Sequence, residues 1–163
     1  MDKNLYTWIS KIKMLVFDFD GVMTDNKVIV DETGKESVVC HRGDGLGLEM
    51  LRKHAKIETL VISKEMNRVV AQRCRKLKMK YLHGIDDKLV TLKREVKRRE
   101  MMLNDVCFVG NDINDIECMK EAGYSIAVKD SHVEVLKVAD LITKNTGGNG
   151  AVREICDLIV SKQ

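Results

Sequence analysis

The stretch KMLVFDFDGVMTDN, residues 13–26, joins an apolar run to two aspartates and a glycine. On an extended backbone, residues i and i+2 point to the same side. The side chains of Asp18 and Asp20 should therefore point to the same side at the end of a buried strand. Two carboxylates this close repel each other unless one is protonated or a cation lies between them. The stretch therefore predicts either a catalytic site with a bound cation or an ordinary surface turn at the end of a strand.

Composition is typical of one soluble domain over residues 1–163, with 44% hydrophobic and 33% charged residues. The net charge of +3 permits a phosphorylated small substrate but does not favour nucleic acid. The basic segments RVVAQRCRKLKMK (68–80) and KREVKRRE (93–100) are more typical of solvated helix faces than of a nucleic-acid patch. No apolar run approaches the roughly 18 residues of a membrane span, and no signal peptide begins the sequence. Five cysteines without a C-x-x-C pair indicate free thiols in a reducing cytoplasm.

Short apolar runs alternate with amphipathic segments along the chain. The runs at 14–19, 59–63, 106–110, 124–128 and 139–143 are continuously hydrophobic, as parallel strands covered on both faces must be. Helical periodicity is found at 66–77, at 87–102 and in the stripe from Val152 to Ile159. This alternation predicts an α/β fold with a doubly wound, Rossmann-like parallel sheet.

One insertion departs from the alternation. KVIVDETGKESVVCH (27–41) has two β-prone arms around DETGK, the pattern of a β-hairpin. We expect it to lie between the first strand and a core helix that begins near Gly43. The space between them holds a hairpin and no cap domain.

Polar residues follow three later strands, and they should face the same edge of the sheet, where open α/β sheets bind ligands. Ser63 follows TLVI, Lys88 begins a helix after GIDD, and VCFVGNDIND delivers Asn111, Asp112 and Asp115. Taken singly, Ser63 is more typical of a helix cap and Lys88 of a solvated lysine, and the GNDIND cluster is compatible with a capped turn. Together with Asp18 and Asp20 they predict an anion site beside a cluster of oxygen ligands that Mg²⁺ would neutralise.

These motifs, in this order, resemble those of the haloacid dehalogenase (HAD) superfamily of phosphotransferases. The resemblance is strongest to the capless sugar-acid phosphatases that act on 3-deoxy-D-manno-octulosonate 8-phosphate or nine-carbon, sialic-acid-like relatives. The chain also resembles the phosphatase-like domain of CMP-sialate synthetases. Further shared segments are HRGDGLGL, AQRCRKLKMKYLHGIDDKL and TGGNGAVREICDLI. The resemblance implies a cytoplasmic, magnesium-dependent enzyme of lipopolysaccharide or capsule biosynthesis.

The resemblance also implies residue roles. Asp18 would be the nucleophile, forming an aspartyl phosphate, and Asp20 the general acid and base. Ser63 and Lys88 would hold the phosphoryl group, and Gly21 would let the chain turn beside the substrate. The metal ligands would be Asp18, the Asp20 carbonyl, and either Asn111 or Asp112.

Two positions depart from the family pattern. Active relatives commonly carry Asp where this chain has Asn111, so the metal should bind less tightly here. ISKE replaces the TGR of many relatives, and Lys64 keeps a cation there, as a point charge rather than a planar fork.

The segments HRGDG (41–45) and TGGNGAVRE (146–154) are candidates for the substrate side of the site. Arg42 and Arg153 would meet the carboxylate of a keto sugar acid, with Asp44 beside them. An ordinary Gly-rich loop and a helix start explain the two segments equally well. The resemblance further implies a homotetramer assembled through the hairpins, in which a neighbouring subunit covers the open site.

Two functions are favoured by the sequence over a third, a phosphomutase, because relatives of that kind usually need a cap to retain an intermediate. The first is a phosphatase for a phosphorylated eight- or nine-carbon keto sugar acid, which the intact Asp18, Asp20 and Lys88 favour. The second is a non-catalytic domain that serves oligomerisation or regulation beside a CMP-sialate synthetase, which Asn111 favours.

Overall fold

The computed structural model describes the backbone of residues 5–162 and the side chains of residues 7–162. A parallel sheet of six strands runs through the centre in the order β5-β4-β1-β6-β7-β8, and a separate two-stranded sheet pairs β2 with β3. The strands are β1 Met14–Phe17, β2 Thr24–Val30, β3 Glu36–Cys40, β4 Glu58–Ile62, β5 Lys80–Leu82, β6 Val106–Gly110, β7 Tyr124–Ala127 and β8 Leu141–Ile142.

Helices cover both faces of the sheet. Over the described residues they are α1 Leu5–Ile9, α2 Arg42–His54, α3 Arg68–Leu77, α4 Lys88–Arg98, α5 Ile116–Glu121, α6 Val133–Val138 and α7 Ala151–Val160. Two short 3₁₀ turns precede β6 and α5, at Leu103–Asp105 and Ile113–Asp115.

The central strands are buried on both faces, so alternate side chains enter two different cores. Leu15 and Phe17 of β1 pack with α1, α2, α3 and α7 on one face. Met14 and Val16 pack with α4, α5 and α6 on the other. All four are completely buried, which explains why the run MLVF does not alternate with polar residues. The α/β doubly wound fold predicted from the sequence is confirmed.

The hairpin lies between β1 and α2, as expected, with β2 and β3 antiparallel. Its strands begin three residues earlier than the insertion predicted at 27–41, because Thr24 already pairs with Cys40. Asp31 organises the turn by accepting hydrogen bonds from the backbone N–H groups of Thr33 and Lys35, at 2.9 and 3.0 Å. The hairpin is the main structure between Gly21 and α2, so this part of the chain holds no cap domain.

Several boundaries differ from the expectation. The first strand ends at Phe17 rather than residue 19, so Asp18 and Asp20 lie in the loop beyond β1. The helix expected over 87–102 ends at Arg98, because Glu100 adopts a positive φ of 55°. The strand expected at 139–143 shrinks to Leu141–Ile142. In residues 5–162, no helix has both the length and the apolar character needed to cross a membrane.

Candidate active site

The loop after β1 begins with Asp18, which is buried next to the adjacent strand β6. Its backbone N–H donates to the carbonyl oxygen of Val109 at 2.9 Å, and its Oδ1 accepts from the backbone N–H of Phe19 at 2.7 Å. Asp18 is 6% exposed. The sheet thus fixes the backbone of this residue, and the next amide fixes its carboxylate.

Lys88, the first residue of α4, reaches this carboxylate from the neighbouring element. Its Nζ lies 2.9 Å from Oδ1 of Asp18 and 2.8 Å from Oδ1 of Asp115. All three side chains are buried. One ammonium therefore bridges two carboxylates that come from different strand ends.

The pKa values of Asp18 and Lys88 are both shifted upward from their ordinary values. Burial, followed by repulsion from Asp115, raises the pKa of Asp18 to about 7, although Lys88 opposes the shift. Burial lowers the pKa of Lys88, but its two carboxylate partners outweigh this effect and the net shift is upward. The lysine stays protonated, while two carboxylates and one ammonium leave excess negative charge where a cation would be favoured.

Asp115 also shapes the loop that follows β6. Its Oδ2 accepts from the backbone N–H groups of Asn111 and Asp112, at 2.9 and 3.3 Å. A Cβ on Gly110 would lie only 2.6 Å from the Cβ of Asp115, so glycine is needed for this close packing. Asp115 thus positions Lys88 and Asn111 at once.

Asn111 faces the loop after β1. One terminal atom of its side-chain amide lies 3.0 Å from the main-chain oxygen of Asp20 and 3.2 Å from Oδ2 of Asp18. If this atom is the nitrogen, it donates hydrogen bonds to both oxygens. If it is the oxygen, three oxygens converge with no hydrogen between them, and a bound cation would neutralise them. With the amide oxygen in this position, the three groups fit a hard divalent cation.

The carboxylate of Asp18, the main-chain carbonyl of Asp20 and the amide of Asn111, which we call the metal cradle, carry little formal charge. Among the described residues, no group of three or more His, Cys, Asp and Glu side chains is arranged to hold a metal. The three converging groups are instead one carboxylate, one main-chain carbonyl and one amide. Such a site should bind a divalent cation less tightly than one with two carboxylates.

Gly21 makes the approach of Asn111 possible. Its φ is +83°, and a Cβ at this position would lie 2.0 Å from Nδ2 of Asn111. The Oγ1 of Thr24 accepts from the backbone N–H of Gly21 at 3.1 Å and closes the turn.

The loop around Gly21 is supported from behind by the Gly-rich segment TGGNG. A Cβ on Gly147 would lie 1.8 Å from the carbonyl oxygen of Gly21, and the backbone N–H of Gly148 donates to the carbonyl oxygen of Val22 at 3.1 Å. This segment, considered from the sequence as a substrate contact, packs against the backbone of the first loop.

An open cavity of about 460 Å³ contains Asp18 and Asp20. The residues that complete its lining are Lys64, Glu65, Met66 and Asn114. Burial and then the charge of Glu65 raise the pKa of Asp20, and the Thr24 hydroxyl opposes this shift. Asp20 is therefore held closer to the protonated state that a general acid requires. Glu65 and Asn114 were not among the predicted residues; their only sequence signal was adjacency to the Ser63 and Asn111 motifs.

Ser63 directly follows β4 and is completely buried. Its Oγ accepts from the backbone N–H of Glu65 at 3.1 Å, and its carbonyl accepts from Ile85 at 3.0 Å. Within residues 7–162 this hydroxyl donates no hydrogen bond, so its proton is unused, although Ser63 itself does not line the cavity.

Three of the predicted residues, Asp18, Asp20 and Lys64, line this cavity. Four of those that do not line it are found in other surroundings. Asp112 is exposed and accepts from the N–H of Ile113 at 2.7 Å, as a cap of the turn. Asp44 is buried and accepts from the backbone N–H of Arg153 at 3.0 Å, at the start of α7. The guanidinium of Arg153 pairs with Asp157 on its own helix at 2.7 Å. Arg42 lines a different cleft, between α2 and α3.

Comparisons with known proteins agree with this geometry. Residues 51–155 match the model of the haloacid dehalogenase-like hydrolase family. The chain is 32% identical over 153 residues to the 3-deoxy-D-manno-octulosonate 8-phosphate phosphatase KdsC of Escherichia coli K12, covering 93% of this chain and 81% of that protein.

Solved structures give the same result. The chain superimposes with a TM-score of 0.95 and 33% identity on the 3-deoxy-D-manno-octulosonate 8-phosphate phosphatase of Moraxella catarrhalis, in complex with magnesium, phosphate and KDO. That match covers 100% of this chain and 94% of the other. The cobalt-bound form of the deoxy-D-mannose-octulosonate 8-phosphate phosphatase of Haemophilus influenzae matches with a TM-score of 0.90 and 29% identity, over 96% and 91% of the two chains. The chain belongs to the haloacid dehalogenase-like hydrolase family.

Proposed function

We propose that the chain is a magnesium-dependent phosphatase that hydrolyses a phosphorylated eight- or nine-carbon keto sugar acid through an aspartyl phosphate on Asp18. The observation that carries the proposal is the contact of Lys88 with both Asp18 and Asp115 beside the amide of Asn111. If Lys88 served only in a structural salt bridge, one carboxylate would be enough to pair with it. The second carboxylate and the converging oxygens are explained by a site for a cation and a phosphoryl group.

In the first step, a carboxylate oxygen of Asp18 attacks phosphorus and forms a new O–P bond. The bond from phosphorus to the sugar oxygen breaks, and Asp20 gives its proton to that oxygen. In the second step Asp20 takes a proton from water, which attacks phosphorus and releases phosphate and free Asp18. The raised pKa of Asp20 suits both transfers.

Lys88 and Ser63 would hold the phosphoryl oxygens and balance their charge, with Lys64 contributing at the cavity wall. A magnesium ion would be held by Asp18, the Asp20 carbonyl and Asn111. Its positive charge would reduce the repulsion between the anionic nucleophile and the anionic phosphate. Asn111 is preferred over Asp112 as the ligand because its amide faces the two other oxygens.

The substrate class is supported by the relatives, since the E. coli and M. catarrhalis proteins are named for 3-deoxy-D-manno-octulosonate 8-phosphate. Within one chain, Lys64 is the cation that lines the cavity and could meet a sugar carboxylate. Arg42 and Arg153, which do not line it, would reach a substrate only across a subunit boundary.

The hairpin supports assembly. Its exposed apolar side chains are Val28, Ile29, Val30 and Val39, each more than half exposed. Such a face is costly to leave in water, and we propose that copies of the chain cover it in a homotetramer that also closes the cavity. Light scattering tests this assembly, because Ile29→Lys should reduce the mass to that of a smaller species.

A second function, a non-catalytic domain beside a CMP-sialate synthetase, is favoured by one observation. The metal cradle has an amide where a carboxylate would bind the ion more strongly. One experiment decides between the two functions. Phosphate release is measured from octulosonate 8-phosphate, sialate 9-phosphate and an activated aryl phosphate, with magnesium and with chelator. Magnesium-dependent release from a sugar acid supports the enzyme, and no release from any substrate would rule it out.

A further inference from the structure

A second cavity lies between α2 and α3 and shares no lining residue with the cavity at Asp18. Its volume is about 620 Å³, within the range of small-molecule sites. Its lining contains six cationic side chains and one carboxylate: Arg42, Arg52, Lys53, Arg73, Lys76, Lys78 and Glu49. We call this cavity the α2–α3 cleft.

Most of the cations in the α2–α3 cleft have no carboxylate partner. Lys53 pairs with Glu49 at 2.7 Å. For residues 7–162, no ion pair joins any of the other five to an acidic side chain. Like charges gathered in a concave surface repel one another unless an anion is present. The charges of Glu49 and Asp44 act on Arg52, Lys78 and Arg73 without forming ion pairs with them. With six cations and one carboxylate in its lining, the cleft still has an excess of positive charge.

Two of these side chains are held in place by main-chain oxygens. Nη1 of Arg52 donates to the carbonyl oxygen of Leu77 at 2.9 Å, and Nη2 of Arg73 donates to that of His41 at 3.0 Å. A guanidinium fixed in this way loses little entropy when it binds an anion. A freely solvated helix face would not need such anchoring.

Arg73 is also incompletely satisfied. Its Nε is buried and has no hydrogen-bond acceptor in the part of the chain that the structure describes. A buried donor without a partner is costly, and because this Nε is shielded from solvent, a ligand in the cleft would meet the N–H groups on Nη1 and Nη2 instead. The side chain has five N–H groups, and the bond to His41 uses one of them.

We propose that the α2–α3 cleft binds a small organic anion with two or more phosphate groups. Fixed arginines match phosphate oxygens in pairs, and the number of unpaired cations exceeds what a single phosphate would neutralise. Leu46 and Leu77, which also line the cleft, provide apolar surface for the organic part. This site is additional to the proposed phosphatase site and does not depend on it.

The test uses pyrophosphate as the probe, in buffer containing chelator so that no divalent metal recruits the probe to Asp18. Amide NMR spectra locate the binding, and calorimetry measures its affinity. We expect resonances of residues 40–54 and 68–78 to shift. Arg73→Gln should weaken binding by roughly tenfold, since it removes a phosphate-binding fork.

Two matched lysine variants serve as controls for misfolding and for a general effect of charge on binding. Lys76 and Lys97 are both exposed and lie in the last turns of α3 and α4. Lys76→Gln should weaken pyrophosphate binding severalfold, and Lys97→Gln should leave it unchanged. The proposal is overturned if shifts are confined to residues 18–21, 63–65 and 110–115, if no binding occurs, or if both lysine variants weaken binding equally.

Discussion

Nζ of Lys88 lies 2.9 Å from Oδ1 of Asp18, and this contact joins the first residue of α4 to the loop after β1. Both side chains are buried, and the second carboxylate, Asp115, completes the cluster. The arrangement keeps a lysine charged and leaves one carboxylate poorly neutralised. Chemistry and stability should therefore both depend on it.

Asp115→Asn should lower the free energy of unfolding by about 2 kcal/mol, because one amide oxygen cannot replace both the ion pair with Lys88 and the bonds that Asp115 accepts from two backbone N–H groups. The substitution should also bring the pKa of Asp18 down, since the charge of Asp115 helps to raise it. Denaturant unfolding measures the first effect. The control is Asp157→Asn on the half-exposed pair with Arg153, which should cost no more than about 0.5 kcal/mol. Equal losses in the two variants would contradict a special role for Asp115.

Gly21→Ala should abolish turnover and destabilise the fold by about 3 kcal/mol, because it combines a strained φ with a collision against Asn111. Gly34 offers a matched control. Its φ is +78°, and a Cβ there meets nothing within 4 Å. Gly34→Ala should cost about 1 kcal/mol from backbone strain alone and leave turnover intact. If the two variants behave alike, the contact with Asn111 is not what requires Gly21.

Magnesium affinity should rise with pH up to about 7. In the metal-free protein the pKa of Asp18 is raised from 3.8 to about 7. Between these values the folded chain holds a proton that the unfolded chain has lost, so stability without metal falls as pH rises. The ion must displace that proton to bind. Calorimetry at several pH values checks this, and the proton release it detects should fade above pH about 7. An affinity that is flat from about pH 6 to about pH 8 would contradict it.

Asn111→Asp should tighten magnesium binding by roughly tenfold, because a carboxylate replaces an amide at the cradle. The same change should reduce stability without metal, since it adds a negative charge beside Asp18. Asp112→Asn is the control. That side chain caps a turn and is exposed, so magnesium affinity should not change. The reverse result would make Asp112 the ligand.

Sequence patterns predicted the central sheet and the meeting of Asp18, Lys88 and Asn111, because carboxyl ends of parallel strands share one edge. They missed β5, since KYL is too short to give a period. They also missed the bond from Asp115 to Lys88, which depends on how α4 packs against β4 and α5. Arg153 was considered for substrate, but Asp157 lies one helical turn away and pairs with it. Whether Arg153 meets a substrate or a neighbouring carboxylate depends on side-chain geometry, and the spacing of residues in the sequence does not reveal that geometry.

The most direct test of the account is the search for a phosphoryl group on Asp18. Asp20→Asn should still form the aspartyl phosphate from an activated aryl phosphate, whose leaving group needs no proton, but should hydrolyse it slowly. After acid quenching in the presence of magnesium, mass spectrometry should find one added phosphoryl group on the peptide that contains Asp18. The chelated sample should show none. Release of the aryl group with that peptide unmodified, or with the phosphoryl group on another residue, would contradict the account.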